Sequence, residues 1–290
     1  MIVVTAPTSA IGRQVVEHLL STGTPLRVVA RDPARLAPGV AAQAEVVRGS
    51  HSDPAVVADA FAGADAVFWL VPPDPRATSL EAAFSGFARA AIEAFKAAGR
   101  VVGISALGRG TAVAGHAGYV TASLAMDDLI AATGVPYRAL TMPSFMDNLL
   151  RQAGLIKSQG IFTALYDPER PLPLVATRDI AAVAARLLRD DTWTGYEEVP
   201  VLGPELLSQH DLAAVMSDVL GRPVRYQRTT PEATLQLALG QGVSEAMAHG
   251  RVDMLVAKNN GLDDTHPGTP LGSTTFRQWC LDVLKPAVEA

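Results

Sequence analysis

Residues 1–20 read MIVVTAPTSAIGRQVVEHLL, and this stretch decides the fold. Its first part, Ile2–Thr5, is a run of apolar and β-branched residues that is typical of a buried strand. After a short turn, apolar side chains recur with the spacing of an amphipathic helix, at Ile11, Val15, Val16, Leu19 and Leu20. A buried strand that leads through a tight turn into a helix is the opening unit of an α/β sheet.

The alternation of strands and helices continues through the first half of the chain. Apolar runs predict five more strands, at Leu26–Ala30, Ala44–Val47, Ala66–Val71, Val101–Ile104 and Tyr137–Thr141. Helical spacing separates several of them, at Pro54–Phe61, Arg76–Ala98 and about Tyr119–Thr133. Strands that are apolar throughout are expected where helices cover both faces of a parallel sheet. The pattern therefore predicts an α/β fold with a Rossmann-type, doubly wound parallel sheet.

The second half of the chain does not continue this alternation of strands and helices. Residues 142–175 contain several prolines and predict irregular structure, whereas helices are expected near 179–189, 208–220, 231–239, 244–258 and 274–284. Short strands are expected at Glu197–Val201 and Val224–Tyr226. We expect residues 1–150 to form a dinucleotide-binding domain that about 176–203 completes. Residues 151–175 and 204–290 are expected to form a smaller, mainly helical substrate-binding portion over the mouth of the sheet.

Composition excludes several classes of protein. The 290 residues carry 24 basic and 29 acidic side chains, a net charge of −5, so a nucleic-acid partner is not expected. No apolar run reaches the roughly 18 residues of a membrane span, and the first residues lack a basic signal region. A single cysteine, Cys280, excludes an internal disulfide and any CxxC motif. We expect a soluble, cytoplasmic protein that acts on a small-molecule substrate, and the sequence is compatible with a homo-oligomer.

The turn after the first strand is the first candidate binding site, because ligands of open α/β sheets bind beyond the carboxyl ends of the strands. A dinucleotide fold prefers glycine at positions 6, 9 and 12, and this chain keeps only Gly12, with Ala6 and Ser9 at the other two. The helix N-terminus still offers free N–H groups and a positive dipole end to a pyrophosphate. The candidate contacts are Thr5, Thr8, Ser9, Ala10, Ile11 and Gly12. An ordinary tight turn between strand and helix is the alternative.

The residues after the second strand bear on the choice of cofactor. An NAD-preferring fold usually has Asp or Glu there, whereas this chain has Arg31, with Arg35 one helical turn further. Guanidinium groups suit the 2′-phosphate of NADP(H), because they present several donors in a planar fork. We interpret Asp32 as the cap of a short helix that starts at Pro33. The prediction is NADP(H), and the alternative is that both arginines are solvated surface charges.

Several segments together resemble one known family. Thr5–Gly12 resembles a degraded TGATGxxG loop of the NmrA-like group of atypical short-chain dehydrogenases/reductases. Further segments similar to that group follow in family order, at Ala30–Leu36, Val67–Pro73, Pro143–Leu149, Thr177–Val183 and Gly203–Ser208. The resemblance implies a Rossmann-type domain that binds NADP(H) and a small C-terminal substrate domain. Activities in the group include reduction of quinones and azo dyes, and some members only sense the dinucleotide.

The resemblance adds five residues to the cofactor site. Ser50 and His51 follow the third strand, where the family closes over the adenine, although the acidic residue usual at the first position is Ser50 here. Val71 ends the predicted fourth strand and Pro72 follows it, and Phe145 lies in the loop after the sixth.

A catalytic centre is only partly present in the sequence. Short-chain reductases that use general acid chemistry pair a serine with a tyrosine whose pKa is lowered by a lysine four residues later. Ser105 ends the fifth strand and Tyr119 follows at a compatible spacing, but Ser123 stands where the lysine would be. A tyrosine without a nearby cation keeps a pKa near ~10 and is a poor acid at neutral pH. The alternative is that Tyr119 only packs at the start of a helix.

Other titratable groups are weaker candidates. His116 lies between Ser105 and Tyr119 and is a possible proton donor to a reduced acceptor, or else a solvated loop histidine. Asp263, Asp264 and His266 precede a Pro-Gly pair and are interpreted as a turn, so no metal is expected. Cys280 is interpreted as a core residue.

The predicted function is an NADPH-dependent reductase of a conjugated carbonyl or quinone-like small molecule. Because the lysine is missing, we expect direct hydride transfer, in which proximity and orientation supply the catalysis. Two alternatives stay open: a non-catalytic NADP(H)-sensing regulatory protein, and a non-redox enzyme such as a cyclase or isomerase on the same fold.

Overall fold

The computed structural model describes residues 1–264 and 271–290. Its strands are β1 (Ile2–Thr5), β2 (Leu26–Ala30), β3 (Glu45–Arg48), β4 (Ala66–Trp69), β5 (Val101–Ile104), β6 (Tyr137–Thr141), β7 (Ser144–Phe145), β8 (Ile161–Ala164), β9 (Leu172–Val175), β10 (Tyr196–Pro200), β11 (Leu206–Leu207) and β12 (Arg225–Arg228). Its α-helices are α1 (Ala10–Ser21), α2 (Val40–Gln43), α3 (Pro54–Phe61), α4 (Phe87–Arg89), α5 (Ile92–Ala97), α6 (Tyr119–Ala131), α7 (Ala153–Gln159), α8 (Thr177–Arg189), α9 (Gln209–Leu220), α10 (Pro231–Gly240), α11 (Glu245–Asn259), α12 (Phe276–Trp279) and α13 (Lys285–Glu289).

The chain forms two compact units. The first unit comprises Met1–Ala106, Ala122–Thr141 and Ile180–Val199, and the second unit comprises Leu107–Thr121, Met142–Asp179 and Pro200–Ala290. None of the helices in the described residues has the length and apolar composition that crossing a membrane requires.

The first unit is built on a seven-stranded sheet in the order β10-β6-β5-β4-β1-β2-β3. The pairings of β1 with β2 and β4, of β2 with β3, of β4 with β5 and of β5 with β6 are all parallel. Chain order reverses between β1 and β4, which is the position where ligands bind in doubly wound sheets. The predicted Rossmann-type fold class is therefore confirmed.

The strands next to this reversal are buried along their whole length. All four residues of β1 and all four of β4 are buried, as continuous apolar runs predict for a sheet covered on both faces. Trp69 of β4 packs edge-on against Phe95 of α5, with ring centroids 5.0 Å apart, and Phe61 of α3 lies beside both rings. Such aromatic pairs add to the free energy gained from area burial, so they hold the carboxyl ends of the central strands in place.

Side-chain caps and a left-handed glycine define the ends of two helices. The Asp53 side chain accepts from the backbone of Ala55 at the start of α3. Ser208 and Asp211 form a reciprocal capping box at α9, which ends at Gly221 in the left-handed conformation with φ +64°. The helix predicted over 76–98 is instead interrupted: a π-helical turn over 82–86 leads into α4, and α5 follows.

The second unit contains two small sheets as well as helices. One has the order β11-β9-β7, and the other pairs β12 with β8 in parallel. Its core includes Phe162 of β8 and the stacked pair Phe276 and Trp279 of α12, whose ring centroids lie 5.8 Å apart. The prediction of irregular structure over 142–175 was wrong, because β7, a 3₁₀ turn, α7, β8 and β9 all lie there. Strands of two to four residues next to prolines are too short to produce a recognisable period.

Candidate cofactor and substrate site

The turn after β1 has a strained backbone. Ala6 has φ +49° and is the one non-glycine residue with positive φ in the described part of the chain. It occupies the position of the first motif glycine, where a residue with a Cβ pays a conformational cost. The Ser9 amide closes the turn by donating to the Ala6 carbonyl at 3.0 Å. A Cβ on Gly12 would overlap that same carbonyl oxygen, so only glycine fits there.

The N-terminus of α1 presents hydrogen-bond donors. Ser9 caps the helix, and its Oγ accepts from the Gly12 amide at 3.0 Å. The amides of Ala10 and Ile11 have no acceptor among the residues that the structure describes, and Thr8 and Ala10 are exposed. Unpaired first-turn amides together with the positive end of the helix dipole form an anion-binding arrangement. The predicted use of Ser9 is therefore refined: its oxygen caps the helix, and only its hydroxyl hydrogen is left for a ligand.

The Thr5 hydroxyl forms two hydrogen bonds within the protein, one as donor and one as acceptor. The fully buried Oγ1 donates to the Phe68 carbonyl at 2.9 Å and accepts from the Leu70 amide at 3.1 Å. These bonds join the carboxyl ends of β1 and β4, where the sheet reverses its order. Thr5 therefore shapes the candidate cofactor site through the strand ends.

His51 also contacts Leu70, the residue after β4. Its Nε2 lies 2.9 Å from the Leu70 carbonyl oxygen, and its ring packs edge-on against Trp69 and Phe87, with centroids 5.2 and 4.8 Å away. Burial lowers the pKa of His51 to about 4, with the charge of Arg31 adding to the effect and the Leu70 bond opposing it. At neutral pH the imidazole is uncharged, so Nε2–H donates to the carbonyl. Leu70 is thus held by both Thr5 and His51.

The loop after Leu70 and the two arginines lie at the surface of the first unit. Val71 is half-buried, while Pro72, Arg31 and Arg35 are exposed. Arg31 is close enough to His51 for its charge to lower the pKa of that ring.

Polar residues of the loops around the two arginines form hydrogen bonds with residues close to them in sequence. Asp32 caps the 3₁₀ turn Pro33–Arg35, accepting from Ala34 at 3.2 Å, which confirms its predicted capping role. Ser50 Oγ lies 2.8 Å from Ser52 Oγ. Neither Arg31 nor Arg35 forms an ion pair with any described residue.

The donors of the first unit are of the kinds that could hold a dinucleotide. Two unpaired helical amides and a helix dipole suit a diphosphate, and an exposed guanidinium without a carboxylate partner suits a further phosphate. The overlap that a Cβ on Gly12 would produce with the Ala6 carbonyl oxygen shows that the turn packs closely against the first turn of α1.

Ser105 belongs to a buried network that sequence reasoning missed. The Ser105 hydroxyl donates to one carboxylate oxygen of Asp127, and the Tyr137 hydroxyl donates to the other at 2.6 Å. All three residues are buried, and a Cβ on Gly103 would overlap the Tyr137 hydroxyl. Burial, and then the Asp127 charge, raise the pKa of Tyr137 well above its usual value. The sequence did contain one sign of this network, because Asp127 is a carboxylate on the apolar face of the helix predicted at about Tyr119–Thr133.

The other two catalytic candidates fall in the second unit. His116 ends the 3₁₀ turn Ala114–His116 and is exposed, and Tyr119 begins α6 and is half-buried. Burial raises the pKa of Tyr119, and the charge of Arg251 offsets part of that rise. The effect of Arg251 on Tyr119 was not predicted, because the two residues are far apart in sequence and no motif links them. Phe145 lies in β7, where it pairs with Val175 of β9.

Metal ligands are not gathered anywhere in the described residues. No group of three His, Cys, Asp or Glu side chains that could hold a metal ion occurs among them, and His266 lies outside the described residues. Cys280 is fully buried in the core of the second unit, as predicted, and burial raises its pKa to about 12.

The doubly wound fold and the open amides at the start of α1 are those of a dinucleotide-binding protein of the Rossmann class. The model of an NAD(P)H-binding family matches residues 8–191, and that of the NmrA-like family matches residues 122–268. The chain therefore belongs to the NmrA-like family of NAD(P)H-binding proteins, as its sequence segments predicted.

Two relatives that align with most of the chain are reductases. The chain is 35% identical over 239 residues to the (4-alkanoyl-5-oxo-2,5-dihydrofuran-3-yl)methyl phosphate reductase of Streptomyces griseus, covering 80% of this chain and 78% of that protein. It is 31% identical over 252 residues to the NAD(P)H azoreductase of Xenophilus azovorans, covering 86% and 84%. The NADPH-dependent quinone oxidoreductase of Escherichia coli shares the fold, with a TM-score of 0.75, 21% identity and coverage of 100% and 99%. The expectation of an NAD(P)H-dependent oxidoreductase is confirmed at the level of the family.

Proposed function

We propose that the protein is an NADPH-dependent reductase of a conjugated carbonyl or quinone-like small molecule, acting by direct hydride transfer. The observation that carries this proposal is the anion-binding start of α1, in the same unit as the unpaired Arg31. The Ala10 and Ile11 amides bind the diphosphate, Ser9 supports them with its hydroxyl, and Arg31, with Arg35, binds the 2′-phosphate. The two curated relatives, which are reductases of a furanone phosphate and of azo compounds, support reduction of an electron-poor acceptor.

The titratable groups favour a reaction without general acid catalysis. The raised pKa of Tyr119 makes its phenol a weaker acid than a free tyrosine, and Ser123 supplies no cation. The Ser105 proton is already donated to Asp127, so the serine oxygen is an acceptor that can orient an amide or hydroxyl of a ligand. Bound NADPH would supply the hydride, and water would supply the proton to the reduced oxygen. The chain's contribution is binding and orientation.

The decisive test follows NADPH oxidation at 340 nm with a panel of quinones and conjugated ketones. We expect acceleration over the uncatalysed rate with at least one acceptor, and a weaker reaction with NADH. Absence of acceleration with every acceptor would contradict the proposal.

A second candidate is a non-catalytic NADP(H) sensor. The strained Ala6 in the glycine loop and the buried Ser123 at the lysine position favour it, since neither matches an intact short-chain reductase. Tight NADP⁺ binding measured by calorimetry, together with no turnover in the acceptor panel, would support the sensor. If no dinucleotide binds, a cyclase or isomerase on the same fold becomes the better interpretation.

A further inference from the structure

The hydroxyl at the carboxyl end of β5 has its proton committed within the first unit. Ser105 follows β5 directly, and its Oγ donates to a carboxylate oxygen of Asp127 on α6. An ionised carboxylate only accepts hydrogen bonds, so the Ser105 proton points toward Asp127. No described residue donates a hydrogen bond to Ser105 Oγ. The serine oxygen therefore keeps its capacity to accept, while its capacity to donate is used.

The Asp127 carboxylate is held in place by a second donor. The Tyr137 hydroxyl donates to its other oxygen at 2.6 Å, and the Tyr137 ring stacks on Tyr196 with centroids 5.7 Å apart. A Cβ on Gly103 would overlap the Tyr137 hydroxyl, so the glycine of β5 leaves the room that this hydroxyl occupies. Bonds from β6 and from the end of β5 thus fix both oxygens of the carboxylate.

Only one member of this network has any exposed surface. Asp127 and Tyr137 are 0% exposed, whereas Ser105 is 7% exposed. A ligand of the first unit can therefore meet the network at Ser105 and at neither of the other two side chains. The arrangement presents one oriented acceptor at the carboxyl end of β5.

The strand order places this acceptor relative to the candidate cofactor contacts of the same unit. Arg31 follows β2, the open amides of α1 follow β1, and Ser105 follows β5, in a sheet with the order β5-β4-β1-β2. A dinucleotide lies across the carboxyl edge of such a sheet, with its two nucleotides on opposite sides of the point where strand order reverses. With the 2′-phosphate at Arg31, the adenosine half belongs to the β2 side and the nicotinamide half to the β4 and β5 side. Ser105 lies two strand spacings from β1, or about 10 Å.

We propose that Ser105 Oγ accepts a hydrogen bond from the carboxamide N–H of the nicotinamide ring, and that Asp127 is the positioning residue that holds the serine hydroxyl as an acceptor. The inference rests on the proposed reductase function, and in particular on its NADP(H) site. An acceptor that does not donate selects the N–H side of a carboxamide over its oxygen. The bond therefore fixes the rotation of the carboxamide and contributes to the orientation on which direct hydride transfer depends.

The test compares two cofactors that differ only in this group, NADP⁺ and 3-acetylpyridine adenine dinucleotide phosphate, which has a methyl in place of the amide nitrogen. Isothermal titration of the wild-type protein should give about 3- to 10-fold tighter binding of NADP⁺, the value of one net hydrogen bond. Ser105→Ala should bind the two compounds with equal affinity, because the acceptor is gone while the carbonyl oxygen common to both compounds is unaffected.

Two further variants separate the role of Asp127 from a structural one. Tyr137→Phe is the matched control: it removes the other hydroxyl of the network, leaves the bond between Ser105 and Asp127, and should retain the preference for NADP⁺. Asp127→Leu combined with Tyr137→Phe removes both polar partners together, so the tyrosine is not left with a buried unpaired donor. The Ser105 proton can then turn to the carbonyl oxygen that both compounds carry, and the ratio of affinities should fall to about one. Circular dichroism checks the fold of each variant.

Equal wild-type affinities for NADP⁺ and its acetylpyridine analogue would overturn the inference, as would a preference retained in Ser105→Ala. Both results are obtained even if the double variant does not fold. A preference retained in a folded double variant would overturn the positioning role of Asp127. Failure of the reductase function is distinguishable, because the wild type would then bind no NADP⁺ at all, or would bind it with the expected preference and stay inactive in the acceptor panel.

Discussion

The side chains at the candidate cofactor site differ in how they contribute. Thr5 and His51 use their polar atoms to hold Leu70, whereas Arg31 is exposed and its guanidinium has no ion pair with described residues. Only the second kind of side chain can change the choice of ligand without changing the fold. Specificity for the cofactor is therefore expected to depend on Arg31 and not on the residues that shape the strand ends.

Replacing Arg31 with alanine tests the choice between NADPH and NADH. The variant should bind NADPH about 10- to 150-fold more weakly, because a charge-assisted hydrogen bond is worth roughly 1.5–3 kcal/mol and only NADPH has the 2′-phosphate. Affinities for both cofactors can be measured by fluorescence titration. Equal losses for NADPH and NADH would remove Arg31 from the 2′-phosphate site. Arg76→Ala, another exposed arginine of the first unit, is the control.

Tyr119 tests whether the reaction needs an acid. With its raised pKa and with Ser123 at the lysine position, the phenol is expected to position the acceptor only, so Tyr119→Phe should lower kcat for a neutral quinone by less than about tenfold. A general acid would contribute roughly 10²- to 10⁴-fold. The pH–rate profile is an independent measurement, and direct transfer predicts a flat region through neutrality. A hundredfold loss in Tyr119→Phe would contradict direct transfer.

At the scale of the elements, the first turn of α1 is the proposed anion site. The site depends on backbone amides, so its strength is set by the helix start and by charge placed near it. Ser9 is the natural position for a test, since it caps the helix and lies beside the open amides of Ala10 and Ile11.

Ser9→Glu should weaken NADP⁺ binding by about tenfold or more, because a carboxylate at the helix start would occupy the amides and repel phosphate. Ser9→Asn, an uncharged residue that also caps helices well, is the matched control and should retain most of the affinity. Isothermal titration gives the affinities, and circular dichroism checks the fold. An unchanged affinity in Ser9→Glu would mean that the turn is only structural.

At the scale of the whole molecule, His51 makes stability depend on pH. Its pKa is lowered from 6.5 to about 4 in the folded protein, so the unfolded chain binds more protons between these values. The contribution is fully present above pH 6.5, and the free energy of unfolding then falls as the pH is lowered to about 4. The loss should approach about 3 kcal/mol, since each pKa unit corresponds to roughly 1.4 kcal/mol.

Urea unfolding of wild type and His51→Gln between pH 7 and pH 4 measures this loss. Glutamine can donate to the Leu70 carbonyl but does not titrate, so the difference between the two proteins isolates the histidine. Wild type should lose stability relative to His51→Gln as the pH falls. Parallel pH profiles would show that His51 is not buried as a neutral ring.

Much of the fold could be predicted from local patterns. The strands Leu26–Ala30, Val101–Ile104 and Tyr137–Thr141 are predicted to the residue, because continuous apolar runs next to turn residues have no good alternative to a buried parallel strand. The caps at Asp32, Asp53 and Ser208 follow from bonds within a few residues. The prediction was wrong over 142–175, where short strands depend on pairing with partners far along the chain, such as β9 with β11.

By itself the sequence determined the doubly wound fold and the NmrA-like family, because both depend on order and spacing along the chain. Only the tertiary structure decided that Asp127 accepts from both Ser105 and Tyr137, that His51 is a neutral donor to Leu70, and that Arg251 lies beside Tyr119. These contacts join residues on different elements. Their chemistry arises from burial and from the approach of separate backbones, and neither leaves a period or a motif in the sequence.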